Sequence, residues 1–488
     1  MVVQPIFVAY LVKEIERRVR ISSRLDCVYL ICLLCYSYYR LKVLFDNKEL
    51  VIIANDNKAR RFSPYYRLNV LFDNKEFVVV ARDNKNINSE RAGSYASQVG
   101  GYKAFVPKPL PPNPPVQLSN EMLQLLSQAD RALGRLDGAS EILPNVDLFV
   151  AMYVSKEAVL SSQIEGTQAS LIDVLAFEAD AAVPENPQDI EEVVNYINAL
   201  NYGLQRLNTL PLSLRLIREI HSLLLQGVRG ANRQPGEFRT SQNWIGHHGG
   251  TIGTAKFVPP SPEDMDRALS KLEVFIHEEK TLPILLKVGL VHAQFETIHP
   301  FLDGNGRMGR LLITFILCYE DVLRKPLLYL SHFFKFHRLE YYNYLQKVRD
   351  EGDWESWLKF FLQGVNEVAQ EATITARNIV QLRENHRNII ATHFSRSAGP
   401  AYQLLEYLYQ RPIITVSGVA KVTDLSYANA NRLVTKFQEH RLLRQMDKYH
   451  RNRRFIYSDY LAMFADEIEK NDGEKSSERE EDKTQFLN

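Results

Sequence analysis

Cysteine is scarce in this chain of 488 residues: there are four, Cys27, Cys32, Cys35 and Cys318, three of them inside one apolar stretch. That is neither a disulfide framework nor the spacing of a four-ligand zinc site, and it suits a reducing cytoplasm. Long hydrophobic runs are missing as well. The stretch from Val28 to Tyr36 falls far short of the roughly 20 apolar residues that a spanning helix needs, and the charged segment before it is too long for a standard signal peptide, so no membrane location is expected. An excess of one charge is also absent. With 59 Lys and Arg against 58 Asp and Glu, the formal net charge is +1, which leaves no global field to hold nucleic acid or an anionic bilayer; any basic patch must be local.

What is there is a multidomain globular composition, since 488 residues exceed a single hydrophobic core. Residues 1–100 differ from the rest. Tyr38 to Lys58 returns almost unchanged as Tyr65 to Lys85, each copy two apolar runs around an Asp-Asn-Lys turn, which reads as a β-hairpin. Two copies are too few for a solenoid, and the segment reads either as a small binding module or as a recent duplication or over-extended start with little bearing on the chemistry. No methionine lies between Met1 and Met122. A proline-rich connector, Pro107 to Pro115, opens the main body.

Helical spacing of apolar residues then predicts helices near 121–136, 148–165, 190–207, 212–226, 262–279 and 283–297. Between 236 and 260 the pattern breaks into short β-like runs, 242–245 and 254–258, around a turn holding His247 and His248, and reads as a hairpin. Two adjacent histidines without further ligands are plain loop residues rather than a metal site. Beyond 381 the order is helix 402–409, helix 416–422, turn, helix 426–440 and a possible hairpin around 448–454, the helix-turn-helix-plus-wing order. The charged tail 463–488 reads as disordered.

The segment His299 to Arg310, HPFLDGNGRMGR, carries the chemistry. Pro300 pushes His299 out of helical geometry, which places the imidazole in a loop. Gly304 and Gly306 give an unobstructed turn, so that the backbone N–H groups of Gly304, Asn305 and Gly306 point outward at the start of the next helix and form an anion cradle. Arg307 and Arg310, three apart on the first turn of helix 307–319, can fork onto phosphates beside the positive end of the dipole. Asp303 is placed for Mg²⁺, which takes one carboxylate plus phosphate oxygens, and His299 suits proton transfer near neutral pH. Upstream, SSQIEG (161–166) closes a helix with Gly166 as its cap. Glu165 therefore sits at the negative end of that helix's dipole, where a carboxylate asks for a cationic partner such as arginine.

The first segment resembles the signature of the Fic family, His-Pro-Phe-x-(Asp/Glu)-Gly-Asn-Gly-Arg-x-x-Arg, and matches it at every defined position. The resemblance runs from about Tyr102 to Phe361. It implies a mainly α fold: a helical core (187–380) with a β-hairpin flap (236–260), preceded by an amino-terminal helical region (101–186) and followed by a winged helix-turn-helix domain (381–462). It implies a protein adenylyltransferase that uses ATP and Mg²⁺. His299 would be the base toward a Tyr, Thr or Ser hydroxyl of a target protein or of the enzyme itself. Asp303 would hold the metal, and Gly304, Asn305 and Gly306 would bind phosphate oxygens and the transition-state charge. Arg307 would meet the β-phosphate and Arg310 the γ-phosphate, while the flap would align the target by strand addition.

SSQIEG resembles the family's inhibitory motif, (Ser/Thr)-x-x-x-Glu-(Gly/Asn), through Ser161, Glu165 and Gly166. That implies an inhibitory helix (148–166) whose Glu165 pairs with Arg310 in place of the γ-phosphate. A homodimer is implied as well. A rival reading keeps the Fic core as a nucleotide sensor for a DNA-binding regulator, with Asn429, Asn431, Arg432 and Lys436 on the recognition helix. Removal of AMP, or transfer of another group, are variants of the enzymatic reading.

Overall fold

The computed structural model describes residues 41–46, 49–54, 66–73, 76–83, 91–142, 146–179, 186–246, 249–446 and 453–464. Cys27, Cys32, Cys35, His247, His248, the wing tip 447–452 and the tail from 465 lie outside them. Up to Asn88 the chain forms one unit, and from Ser89 a second.

In the first unit β1 (Leu41–Asp46) pairs antiparallel with β2 (Glu49–Ala54), Asp46 facing Glu49, and β3 (Tyr66–Asp73) pairs with β4 (Glu76–Asp83), Asp73 facing Glu76. The duplicated sequence gives the same register twice, because turn length fixes register. The unit ends earlier than the expected residue 100. The hairpin of β5 (Gly93–Ser97) and β6 (Lys103–Pro107) belongs to the second unit, where Phe105 is buried and donates its N–H to the carbonyl of Val258 at 2.9 Å.

The second unit is mainly helical. Its helices are α1 (Asn120–Ile142), α2 (Val146–Ile164), α3 (Leu171–Glu178), α4 (Pro187–Leu207), α5 (Leu214–Leu224), α6 (Pro262–Glu278), α7 (Ile284–Ile298), α8 (Asn305–Tyr319), α9 (Ser331–Phe336), α10 (Arg338–Glu351) and α11 (Trp354–His393). Capping marks several starts: Ser213, Ser261 and Asp353 each accept from the backbone of the third residue on. From Leu285 to Ile298 every residue of α7 is buried, so this helix forms the centre of the core, with α8 turning back along it. The loop between these two helices is therefore anchored in the core at both ends. Phe333, Phe334 and Tyr341 are buried; the rings of Phe334 and Tyr341 stack at 4.4 Å, and the Tyr341 hydroxyl meets Nε2 of His292 at 2.9 Å.

The division at 380/381 falls inside α11, a continuous helix of 40 residues whose buried positions continue through Ala376, Ile379, His386 and Ile390. The stretch 236–260 forms no two-stranded hairpin among the described residues. A single bridge joins Ile245 to Phe257, and a short 3-10 turn, Ile252–Thr254, follows a glycine-rich stretch that adds no ladder partners. After α11 come α12 (Ala398–Gln410), β7 (Ile413–Thr415), α13 (Val416–Thr423), α14 (Tyr427–Glu439), β8 (Arg444–Gln445) and β9 (Arg454–Ile456), with strand order β7-β9-β8. Residues 458–464 are helical and Phe464 is fully buried against the ring of Tyr153, so order extends past the expected start of the tail at 463.

Candidate functional site

The α7–α8 loop is shaped by two left-handed residues. His299 caps α7 at φ 50° and ψ 61°, and Gly304 starts α8 at φ 75°. Asn305 fastens the turn from within: its Oδ1 accepts from Phe301 N and its Nδ2 donates to Phe301 O, both at 2.8 Å. Its side chain is thus a brace, while its backbone stands in the first turn of α8, where N–H groups have no intrahelical acceptor. The Gly304 N–H is already engaged, donating to Oδ1 of Asp303 at 2.6 Å.

Residues distant in sequence hold this loop. Arg239, buried, donates to the carbonyls of His299 (3.0 Å), Pro260 (2.6 Å) and Ser241 (3.2 Å). Asn243 donates to the carbonyls of His299 (3.2 Å) and Phe301 (2.9 Å). His221 stacks on Phe301 with centroids 3.6 Å apart. It accepts the Gly236 N–H on Nδ1, which leaves its proton on Nε2 to be donated to the Asp303 carbonyl at 2.9 Å. Burial lowers the His221 pKa to about 4, so this imidazole is a neutral strut.

His299 is half-buried, and its Nδ1 is enclosed without a hydrogen-bond partner. Burial, then the neighbouring guanidinium groups of Arg349 and Arg239, lower its pKa to about 3, which keeps it an unprotonated base at neutral pH. Glu165 faces it and partly offsets the two arginines.

Arg307 and Arg310 diverge instead of sharing one face. Arg307 runs back to Glu192 of α4 at 3.2 Å, both side chains 1% exposed, and lies 3.7 Å from Asp303. Arg310 turns to α2: Nε donates to Ser161 Oγ at 2.8 Å and Nη2 to the Ser161 carbonyl at 2.9 Å and to Oε1 of Glu165 at 2.8 Å. Burial opposes the charge of Glu165, but Arg310 outweighs it and holds the carboxyl below the usual carboxylate range; the guanidinium is in turn more firmly protonated than in water. Gly166, at φ 104°, ends the helix that presents Glu165. The carboxylate lies where a side chain on Gly306 would begin, since a Cβ there would stand 2.2 Å from Oε1.

Asp303 is the metal candidate. Its carboxylate is 37% exposed at the mouth of the loop, and among the described residues no group of three His, Cys, Asp or Glu side chains could hold an ion. One open carboxylate fits a Mg²⁺ that arrives with a triphosphate and completes its shell from phosphate oxygens and water.

The recognition-helix candidates are largely engaged elsewhere. Lys436 lies 5.0 Å from the centre of the Phe394 ring, Asn431 accepts from Arg453, and exposed Arg432 donates to Asn429 at 3.2 Å. Arg239, Asn243, His221 and Glu192 were not found from sequence. They stand alone in their segments, with no motif around them.

A model described as Fic/DOC family N-terminal matches residues 123–205, and one described as Fic/DOC family matches 211–317. The protein adenylyltransferase Fic of Culex quinquefasciatus is 31% identical over 176 residues, which are 35% of this chain and 30% of that protein. Its Aedes aegypti namesake is 32% identical over 177 residues, with the same coverage of each chain. The match thus spans about 30% of the length of these curated relatives. A Fic family protein from Desulfovibrio desulfuricans G20 of known structure is 19% identical, with a TM-score of 0.46 over 70% of this chain and 97% of that one.

Proposed function

Because the chain belongs to the Fic/DOC family, carrying its N-terminal and its main domain in succession, we propose that it is a protein adenylyltransferase that moves AMP from ATP to a Tyr, Thr or Ser hydroxyl and is restrained by Glu165. The observation that carries the reading is the Arg310–Glu165 ion pair beside the neutral base His299. The paired carboxylate carries charge of the same sign as a terminal phosphate and holds its place.

His299 accepts the proton of the target hydroxyl. The freed oxygen attacks the α-phosphorus of ATP, an oxygen–phosphorus bond forms, the bond to the bridging oxygen breaks, and pyrophosphate departs. The first-turn N–H groups of α8 at Asn305 and Gly306, at the positive end of the dipole, face the phosphate oxygens and the charge of the transition state. Arg310 takes the γ-phosphate once Glu165 withdraws. Arg307, braced by Glu192, adds positive charge at the β-phosphate. Asp303 would hold Mg²⁺, which neutralises phosphate charge. The stretch 236–260 offers an exposed Trp244 and a short extended run at Ile245 beside the loop, a place for the target's backbone.

The test compares wild type, Glu165→Gly, and Glu165→Gly with His299→Ala, each incubated with α-labelled ATP and Mg²⁺. Label on protein is expected to be weak in the first, strong in the second and absent in the third. No label in any of them, with ATP still bound, would sink the transferase and favour a nucleotide-sensing regulator.

A further inference from the structure

The two oxygens of the Asp303 carboxylate stand in different surroundings. Oδ1 is committed: it accepts the Gly304 N–H at 2.6 Å and lies 3.7 Å from Nη2 of Arg307. Oδ2 has no hydrogen-bond donor among the described residues, and it lies against Gly230, where a Cβ would stand 2.8 Å from it and 3.2 Å from Cγ. A side chain cannot occupy that space unless the carboxylate moves. Gly230 is also left-handed, at φ 91°, a conformation that glycine takes without steric cost.

The loop that carries Gly230 is pinned. Val228 is buried, and two attachments reach α4: Asn195 Nδ2 donates to the Gln226 carbonyl at 2.7 Å, and Nε of Arg229 meets Glu192 at 3.3 Å. Glu192 is the same carboxylate that holds Arg307. A closed ring results, from Arg229 through Glu192 and Arg307 to Asp303 and back through Gly230, so the approach of Gly230 to Oδ2 is fixed from both ends.

We propose that Oδ2 is the atom Asp303 presents to a divalent cation, and that Gly230 is a positioning residue, the bare backbone that keeps Oδ2 aimed and uncovered. The proposal rests on the AMP-transfer reading only for the nucleotide that brings the ion. With Oδ1 engaged by an N–H and a guanidinium, one oxygen is left for a hard cation, and Mg²⁺ held mainly by phosphate oxygens and water asks no more of the protein. A methyl group at position 230 would turn Oδ2 away from that direction while leaving the arginines and the first turn of α8 in place.

The test measures ATP binding by calorimetry in full-length Glu165→Gly protein, once with Mg²⁺ and once with EDTA, and reads the ratio of the two dissociation constants. Gly230→Ala is expected to cut this Mg²⁺ advantage roughly tenfold, the lower end of what disturbing the neighbour of a metal ligand costs, and to keep the affinity for metal-free ATP. Gly230→Asn, whose side chain tolerates the left-handed backbone, should show the same drop and covers the case of an alanine variant that fails to fold. Gly227 supplies the control: it lies in the same loop at φ 73° with nothing within 4 Å of a Cβ, so Gly227→Ala strains the backbone alone and should keep the parent's ratio. In an Asp303→Ala background Gly230→Ala should change the ratio no further, because the two act through one contact. An undiminished ratio in both Gly230 variants, an equal drop in Gly227→Ala, or a further drop on top of Asp303→Ala would overturn the proposal. So would a parent that binds ATP no better with Mg²⁺ than without. If the ratios follow expectation while α-labelled ATP leaves no label on protein in the parent, the positioning role stands and the transferase reading falls.

Discussion

Glu296 sits three residues before His299 with its Oε1 enclosed and unpartnered, against the backbone of Gly309. Burial pushes its pKa to about 7, Arg310 and Arg349 countering it and Glu165 adding to it; Glu157 is likewise pushed to about 7, chiefly by burial. An acid whose folded pKa lies above its unfolded value, about 4.3, binds its proton more tightly in the fold. Its stabilising contribution is complete below the unfolded value and is lost as pH rises through about 7. Glu165 has the opposite sign, stabilising above its unfolded value and losing that contribution in acid. Glu296→Gln imitates the neutral form, so its urea midpoint should fall less between pH 5 and pH 8 than that of wild type. Equal falls would refute the burial argument. His299 gives a second forecast at this scale: with its pKa lowered to about 3, kcat/KM of Glu165→Gly should show no inflection near pH 6.5 when followed from pH 5 to 8.

At the scale of elements, the turn from His299 to Gly304 depends on a segment that has hardly any regular structure. Arg239 and Asn243 convert the entry to the 236–260 stretch into a clamp, because their donors satisfy carbonyls that the end of α7 and the turn leave open. Arg239→Ala strips several buried acceptors at once and should lower unfolding free energy by about 3 kcal/mol, measured by chemical denaturation, with Arg239→Lys recovering only part.

This element also marks where reading the sequence stops. The turn from His299 to Arg310 was legible because its chemistry is local: a proline, three glycines and charged residues within one loop and the start of one helix. Helices α1, α2 and α4 to α8 were legible from apolar spacing. The clamp was not, since Arg239 reaches His299 only through tertiary folding, and Glu192, a single acidic residue on an amphipathic helix, resembles any solvated glutamate until Arg307 is seen against it. The divergence of Arg307 from Arg310 was invisible for the same reason: spacing on a helix fixes direction at the axis and says nothing of which partner a long side chain finds.

At the scale of the molecule, α11 runs from the helical core into the carboxy-terminal elements without a break, a rod of about 60 Å at 1.5 Å per residue. Helix α2, which carries Ser161, is gripped from that end too, through Tyr153 against Phe464. Phe464→Ala should therefore destabilise the protein by about 3 to 5 kcal/mol, read from its unfolding midpoint, as deletion of a large buried ring does. A smaller loss, under about 1 kcal/mol, would mean that this end packs loosely and that the site does not depend on it.

The carboxylate of Glu165 fills the room that a methyl group at position 306 would take. Under the proposed reaction the incoming phosphates use that same room, so the restraint and the substrate share a single vacancy. A genetic screen for hyperactive alleles should accordingly collect changes at Glu165 and Gly166 and return none at Gly306. Filling that position dislodges the restraint and bars the nucleotide in one step, which closes it as a route by which a lineage could lose regulation and keep the enzyme.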